Sequence, residues 1–293
     1  MILTCSIREV APYINWIYFF HAWGFQPRFA AIAGIHGCDA CRASWLATFD
    51  PADRPKASEA MQLFKEANRM LNLPDEDFSV KTIFRLCRAN ADGDDLLLDG
   101  VRLPLLRQQT QKQEGDPFLC LSDFVRPLSS GVDTAGVFAS TVHIAPERTH
   151  EQDPYKHLLV QTLADRLAEA ATENMHRYVR KEAWGYAKDE DLSVKDLLAE
   201  KWQGIRPAVG YPSLPDQSVN FILNDLLDMQ QIGITLTENG AMHPHASVSG
   251  LMLAHPAARY FNVGKIGEDQ LHDYAARRGM SIEAMKKFLA GNL

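Results

Sequence analysis

Apolar residues recur at helical spacing in several segments of the chain. Residues 57–72 are predicted to form a helix that ends before Pro74, and residues 154–180 carry the longest apolar stripe: Leu159, Leu163, Leu167, Ala171, Met175 and Tyr178. Shorter helices are predicted for VKDLLAEKW after the capping residue Ser193, for SVNFILNDLLDMQQ before Gly233, and for EDQLHDYAARR and SIEAMKKFLA near the end.

Short apolar runs separated by turn residues occupy the middle of the chain, between residues 82 and 144. The strand candidates are TIFRLCRA, LLLDGVRL, FLCLSDFV and GVFASTVHI, and SVSGLMLA follows later. Helices and strands do not alternate with a regular beta-alpha-beta period, so an α+β fold is favoured over a doubly wound one. At 293 residues the chain can form either one elaborate domain or two modest ones.

An aromatic segment stands near the N-terminus, where YINWIYFFHAWGF holds seven aromatic residues between positions 13 and 25. The segment is too short to span a membrane and too aromatic for a solvated loop, so it is predicted to anchor a core.

Composition and charge remove several classes of function. The chain is 46% hydrophobic with a net charge of −7, which gives no electrostatic reason to expect nucleic acid or an anionic membrane as partner. Neither a secretory leader nor an apolar run of about eighteen residues is present, so a cytoplasmic protein is expected. Classical nucleotide motifs, GxGxxG after a strand or GxxxxGK[ST], do not occur.

His36, Cys38 and Cys41 lie together in IHGCDACRA. A CxxC pair can ligate zinc or exchange thiols, but a structural zinc site normally has four ligands. Because the other cysteines are scattered, two inert thiols are the favoured interpretation and no metal site is predicted.

The segment RPAVGYPSLPDQS is stiffened by Pro207, Pro212 and Pro215, while Gly210 permits close approach of a ligand. Arg206, at its start, suits bidentate carboxylate binding, although a plain connector has the same appearance. On the long helix, Asp165, Glu169 and Glu173 recur at four-residue spacing, and they are predicted to form a solvated face.

These residues also carry a family resemblance. RPAVGYP, ENGAMHPHASVSGL, HPAARYFNVGKIGEDQLHDYAARRGMS, LADRLAEA and EAWGYA closely resemble the C-terminal reactivation domain of cobalamin-dependent methionine synthase. The likeness runs from YINWIYFF to the last helix and implies a single curved domain over residues 1–293. It implies a twisted antiparallel sheet, an S-adenosylmethionine site, and a role in reductive methylation of cob(II)alamin carried by a partner, with an electron from a flavodoxin-like or other reductase.

The resemblance also implies particular roles for residues of the ligand site. Arg206 is expected to bind the ligand carboxylate, and backbone groups around Ala208 and Gly210 to line the pocket. Tyr260 and Phe261 match paired aromatic residues beside the ligand.

Three further residues match the reactive side of the domain. Tyr211 matches a tyrosine that lies towards the corrin, and Glu169 and Glu200 match acids assigned to reactivation. Asn15 in INWIYFF stands where the family has an aspartate, so a negative partner for the ligand's ammonium group is lost.

Two expectations concern the extent of the chain. A stretch around residues 34–56 looks like an insertion relative to the family, and modules for homocysteine, folate and cobalamin are missing. We therefore expect a methyltransferase component that cannot make methionine alone, either excised or free-standing. The alternative is a non-catalytic module that binds a corrinoid protein and has a retuned ligand site.

Overall fold

The structure is a computed structural model that describes residues 1–72, 78–110, 113 and 115–293. Its helices are α1 Ile7–Val10, α2 Trp16–Ala22, α3 Asp39–Ala47, α4 Arg54–Leu71, α5 Pro154–Tyr178, α6 Val194–Leu198, α7 Val219–Leu227, α8 Glu268–Arg278 and α9 Ile282–Phe288. Its strands are β1 Ile2–Cys5, β2 Phe78–Asp92, β3 Asp95–Leu98, β4 Val101–Pro104, β5 Asp133–Ile144, β6 Thr235–Leu236, β7 Met242–His243 and β8 Ser247–Met252.

Within the described residues, six strands form one curled antiparallel sheet in the order β4-β3-β2-β5-β8, with β1 paired to β2. Strand β2 is 15 residues long, so it pairs with β5 from Phe78↔Ile144 to Ala89↔Asp133. Its other edge pairs with β1 near Ile83 and with β3 beyond Ala89. The α+β fold with an antiparallel sheet, predicted from the sequence, is confirmed.

Strand β5 is buried on both faces because helices cover both sides of the sheet. Phe138 packs in a cluster with Met175 of α5, and Ser140 accepts a 2.8 Å hydrogen bond from Thr172 of the same helix. The alternate residues, such as Val137, face the cluster that contains Leu223 of α7. Successive strand side chains point to opposite faces, and here both faces are buried. Most residues of GVFASTVHI are therefore apolar.

The predicted helices are confirmed, with earlier ends for two of them. Helix α6 begins at the Ser193 cap as expected but ends at Leu198, because Glu200 adopts a left-handed conformation with φ 55°. Helix α7 ends at Leu227 before the left-handed Asp228. Pro74, the predicted stop after α4, lies outside the described residues. Among the described residues, no helix has the length and apolar character needed to cross a membrane.

Two strand predictions need correction. FLCLSDFV is not a strand: Leu121–Phe124 forms a 3-10 turn, in which the Asp123 carboxylate accepts a hydrogen bond from the backbone N–H of Cys120 at 2.8 Å. LLLDGVRL is two strands, β3 and β4, because Asp99 and Gly100 both have positive φ and turn the chain back on itself.

The N-terminal aromatic segment anchors a core of its own, as predicted. Phe19 and Phe20 of α2 are fully buried in a cluster with residues of α4 and α5. Trp45 of α3 and Phe49 extend the cluster, with ring centroids 4.9 Å apart. The predicted insertion around residues 34–56 therefore contributes core side chains, and its status as an insertion stays a prediction.

Gly250 in β8 lies directly against the backbone of residues 207 and 208. A Cβ built on Gly250 would meet the carbonyl oxygen of Pro207 at 2.2 Å and the Cα of Ala208 at 2.9 Å. Both atoms belong to backbone, so the 206–214 segment itself would have to move away from the sheet.

We therefore expect Gly250→Ala to lower the free energy of unfolding by about 1–3 kcal/mol, the usual cost of overpacking. Urea denaturation measures this loss. Gly34→Ala is the matched control, because a Cβ at Gly34 meets nothing within 4 Å. Equal stability of the two variants would contradict the close packing.

Candidate functional site

A cleft of about 680 Å³ opens between α5 and the proline-rich segment 206–213. Residues 13–18, the turn after α6 and the loop 260–262 complete its walls. The lining includes Asn15, Glu169, Glu173, Glu200, Trp202, Arg206, Ala208, Tyr211, Tyr260 and Phe261. Sequence reasoning named eight of these residues, which come from five separate parts of the chain, and it did not place Glu173 or Trp202 in a site.

The floor of the cleft is held against the sheet by backbone hydrogen bonds. Ile205 and Leu253 exchange two bonds of 2.9 Å, and Val209 donates to Ser249 at 2.9 Å. Residues 205–209 thus run as an irregular strand beside β8. Three prolines in the 206–218 segment further restrict its backbone.

Arg206 is fixed by an ion pair that crosses from this floor to α5. Its Nη2 donates to Glu173 Oε2 at 2.9 Å, and its Nη1 donates to the carbonyl of Thr172 at 3.4 Å. Both side chains are largely buried, with 15% of Arg206 and 6% of Glu173 exposed. A charge-assisted bond in such a low-dielectric setting is stronger than a surface pair.

Glu173 corrects the prediction of a solvated acidic face on the long helix. Its Oε1 is buried and has no hydrogen-bond partner within the described part of the chain. A buried carboxylate oxygen without a partner is costly, and Glu173 lines the cleft, so this oxygen marks a place for a hydrogen-bond donor.

A buried network of hydrogen bonds and ring contacts lies beside Arg206. Arg180 makes a bidentate pair with Glu190, at 2.9 and 2.6 Å, and donates to His176 Nδ1 at 2.8 Å. The guanidinium groups of Arg180 and Arg206 lie 5.0 and 5.6 Å from the ring centroid of Trp202. Burial, together with the positive charges of both arginines, holds the pKa of His176 well below its usual value, so the imidazole is neutral.

Tyr260 and Phe261 lie at the cleft as the sequence predicts. The hydroxyl of Tyr260 accepts a 3.0 Å hydrogen bond from the backbone N–H of Arg206. Burial raises the pKa of Tyr260, so this hydroxyl is protonated and keeps a proton to donate. Phe261 packs against two hydrophobic clusters, which fixes the loop between them.

Ala208 and Gly210 have different positions. Ala208 lines the cleft, whereas Gly210 is not among the described residues that line it. Gly210 has φ 86°, and its N–H donates to the carbonyl of Leu214 at 2.8 Å. It therefore shapes the turn that presents Tyr211.

Tyr211 and Glu169 meet at the open side of the cleft. The Tyr211 hydroxyl donates to Glu169 Oε1 at 3.2 Å, and Arg166 donates to the other carboxylate oxygen at 3.0 Å. Burial and the adjacent Glu169 charge raise the pKa of Tyr211 to about 12. Half of the tyrosine surface is exposed (52%), so its ring is accessible from outside.

Glu200 lines the cleft from the turn after α6. Partial burial raises the pKa of its carboxyl group, the negative charge of Glu173 adds to this effect, and Arg206 opposes it. Its left-handed backbone, with φ 55°, is uncommon for a residue other than glycine. The site therefore holds Glu200 in a conformation that costs local strain.

Asn15 lines the cleft and also caps α2. Its side-chain oxygen accepts a 3.1 Å hydrogen bond from the backbone N–H of Ile17. The side-chain oxygen expected to contact the ligand is thus already used to begin a helix.

Comparison with known proteins agrees with this geometry. The model of a family described as "Vitamin B12 dependent methionine synthase, activation domain" matches residues 6–279. The chain belongs to this family. It is also similar to a solved structure titled "Crystal Structure of the MetH Reactivation Domain bound to AdoHcy", with 36% identity and a TM-score of 0.85, over 100% of this chain and 90% of that one. The family resemblance predicted from the sequence is confirmed.

In this activation domain we expect the Arg206 to Glu173 pair to stabilise the fold as well as the site. Arg206→Met leaves a buried carboxylate unpaired and should cost about 3–5 kcal/mol of unfolding free energy, and Glu173→Met should cost a similar amount. The double variant should recover most of this loss. Urea unfolding of all four proteins measures the coupling.

The exposed pair between Arg28 and Asp53, at 3.0 Å, offers the control. Arg28→Met should cost less than about 1 kcal/mol. Single variants of the buried pair that are no less stable than this control would contradict the burial argument.

Proposed function

We propose that this chain binds S-adenosylmethionine in the cleft and supports reductive methylation of cob(II)alamin carried by a partner. The observation that carries the proposal is the Arg206 to Glu173 pair, which sets a cation and an acid side by side in one cleft. S-adenosylmethionine is a zwitterion at its amino acid end, so it needs both charges. The solved MetH reactivation domain, which is similar to this chain, is bound to AdoHcy.

Arg206 is the proposed partner of the ligand carboxylate. A guanidinium has five N–H donors, and the two bonds to Thr172 and Glu173 leave donors for a ligand. The Tyr260 hydroxyl, held by the backbone of Arg206, directs its own proton to an acceptor nearby.

Glu173 is the proposed partner of the ligand ammonium group. Its buried Oε1 lacks a partner among the described residues, and Glu173 lines the same cleft as Asn15. An ammonium group would satisfy this oxygen with a charge-assisted bond. Glu173 thus supplies the negative charge that Asn15 lacks, while the Asn15 amide contributes a neutral contact.

The remaining predicted residues have proposed roles on either side of the Arg206 to Glu173 pair. Ala208 and Phe261 line the wall against which the adenine would pack, and Gly210 sets the turn beside them. Tyr211 is half-exposed and bonded to Glu169, and Glu200 lines the same cleft. We assign these three residues to the partner's corrin and to the reactivation step.

A partner's corrinoid, reduced by one electron from a flavodoxin-like or other reductase, would supply the nucleophile that takes the methyl group from the sulfonium sulfur, and S-adenosylhomocysteine would be the leaving group. The chain's own residues orient the donor and keep water from its methyl group. Tyr211, whose pKa lies at about 12, keeps its proton near neutral pH and shares it with Glu169.

Calorimetric titration with S-adenosylmethionine tests whether Arg206 and Glu173 bind the ligand. We expect one site per chain, and we expect the double variant Arg206→Met/Glu173→Met to bind at least about 10 to 150 times more weakly, since a bond to a charged group contributes about 1.5–3 kcal/mol. AdoHcy should bind with the same dependence on Arg206. Unchanged affinity in the folded double variant would overturn the proposal, and Arg28→Met controls for altered surface charge.

A second function has one observation in its favour. Because Asn15 Oδ1 already caps α2, a non-catalytic module that binds a corrinoid protein through a retuned site is the alternative. The test is formation of methylcobalamin on a corrinoid-binding methionine synthase module with S-adenosylmethionine and a chemical reductant. Tight binding of that module with methylation at background would favour the alternative.

Asn15→Asp separates the two functions further. Aspartate caps helices as well as asparagine does, so α2 should be preserved. A charged acceptor in the cleft should tighten S-adenosylmethionine binding by about 1 kcal/mol, roughly fivefold. Gln26→Glu, a similar neutral-to-acid change outside the cleft, should leave the affinity unchanged. Equal effects of the two variants would show that Asn15 does not contact the ligand.

A further inference from the structure

Three metal-ligating side chains converge away from the cleft, at the start of α3. One donor atom each from His36, Cys38 and Cys41 lies within 4.8 Å of the other two. The sequence placed these residues near one another along the chain, but the spacing of a CxxC pair does not by itself fix the direction of the histidine ring.

The local fold explains why the donors meet. Cys38 is the N-cap of α3, in extended backbone with φ −79° and ψ 153°, and its Sγ accepts a 3.2 Å hydrogen bond from the N–H of Cys41. In this arrangement His36 brings a ring nitrogen within 4.8 Å of both sulfur atoms. Both cysteines therefore belong to the N-terminal turn of a nine-residue helix, Cys38 as its cap and Cys41 within it.

The opposite side of α3 is anchored in the core. Trp45 is 6% exposed and packs on Phe49, which in turn stacks on Phe29 with centroids 5.3 Å apart. The donors thus sit on a rigid element, while His36 remains exposed and the two cysteines are half-buried. A metal ion can reach them without opening the fold.

The donor types and separations fit a specific class of ion. Zinc binds sulfur at about 2.3 Å and nitrogen at about 2.0–2.1 Å, so the edges of a tetrahedral site are roughly 3.5–3.8 Å long. Small side-chain rotations would bring the three donor atoms, which now lie within 4.8 Å of one another, to these distances. Two thiolates and an imidazole favour zinc over magnesium or calcium, which prefer oxygen ligands.

We propose that His36, Cys38 and Cys41 form a three-ligand Zn²⁺ site with its fourth position open to solvent. Three protein ligands with an open position are the pattern of a reactive or bridging zinc, whereas a closed structural site has four. The fourth ligand is then water or a donor from another molecule. The group has three members in the described part of the chain, and the position faces outward.

Zinc titration of the full, untagged, reduced chain under anaerobic conditions tests the proposal. We expect one Zn²⁺ per chain in competition with a chromogenic chelator, and a thiolate-to-cobalt charge-transfer band when Co²⁺ replaces zinc. Cys38→Ser and Cys41→Ser should each weaken zinc binding at least tenfold, and His36→Ala should weaken binding while keeping the charge-transfer band. Cys5→Ser, a half-buried thiol elsewhere, is the matched control.

Three results would overturn the proposal. These are zinc binding below one equivalent, equal binding in Cys38→Ser and Cys5→Ser, and formation of a Cys38 to Cys41 disulfide by a chain that takes up no zinc. Thermal unfolding of each variant shows that the fold is kept. Because the group does not line the cleft, S-adenosylmethionine affinity should be the same in Cys38→Ser and wild type, which keeps this test separate from the proposed function.

Discussion

The ion pair between Arg206 and Glu173 is the interaction on which the site depends. It joins the long helix α5 to the proline-rich segment between two residues that both line the cleft. Backbone pairing with β8 supports Arg206 from below, and the Arg180 to Glu190 pair supports it from behind. Removal of either side chain alone would leave the other charge buried without a partner. The same ion pair therefore determines both the shape and the charge of the cleft.

Burial and the two neighbouring arginines together keep His176 neutral. The imidazole is fully buried, and a third cation beside the guanidinium groups of Arg180 and Arg206 would be unfavourable. The imidazole therefore accepts a hydrogen bond at Nδ1 and adds no charge. The two arginines beside His176 each pair with an acid, and one of these pairs, Arg206 with Glu173, lines the cleft.

Much of the fold was predictable because it follows from local patterns. The stripe from Leu159 to Tyr178 and the apolar run in β5 identify the helix and strand at the centre, and the family resemblance places Arg206, Tyr211 and Tyr260 at one site. Glu173 was wrongly assigned to a solvated face, because its partner lies 33 residues away in another element. Helical spacing shows which acids share a face but not what that face meets. The convergence of His36, Cys38 and Cys41 could not be predicted either, because the distances between their donor atoms depend on the direction of the His36 ring.

Asn15 limits the number of hydrogen bonds that this position can accept, as well as its charge. An amide oxygen has two lone pairs, and the cap of α2 uses one of them for the Ile17 N–H. The residue therefore has one lone pair for a ligand and two N–H donors, which suit an oxygen better than an ammonium group. A carboxylate at this position has about four lone-pair sites and could cap the helix and hold a cation at once. Helix geometry and ligand chemistry thus compete for a single oxygen atom in this chain.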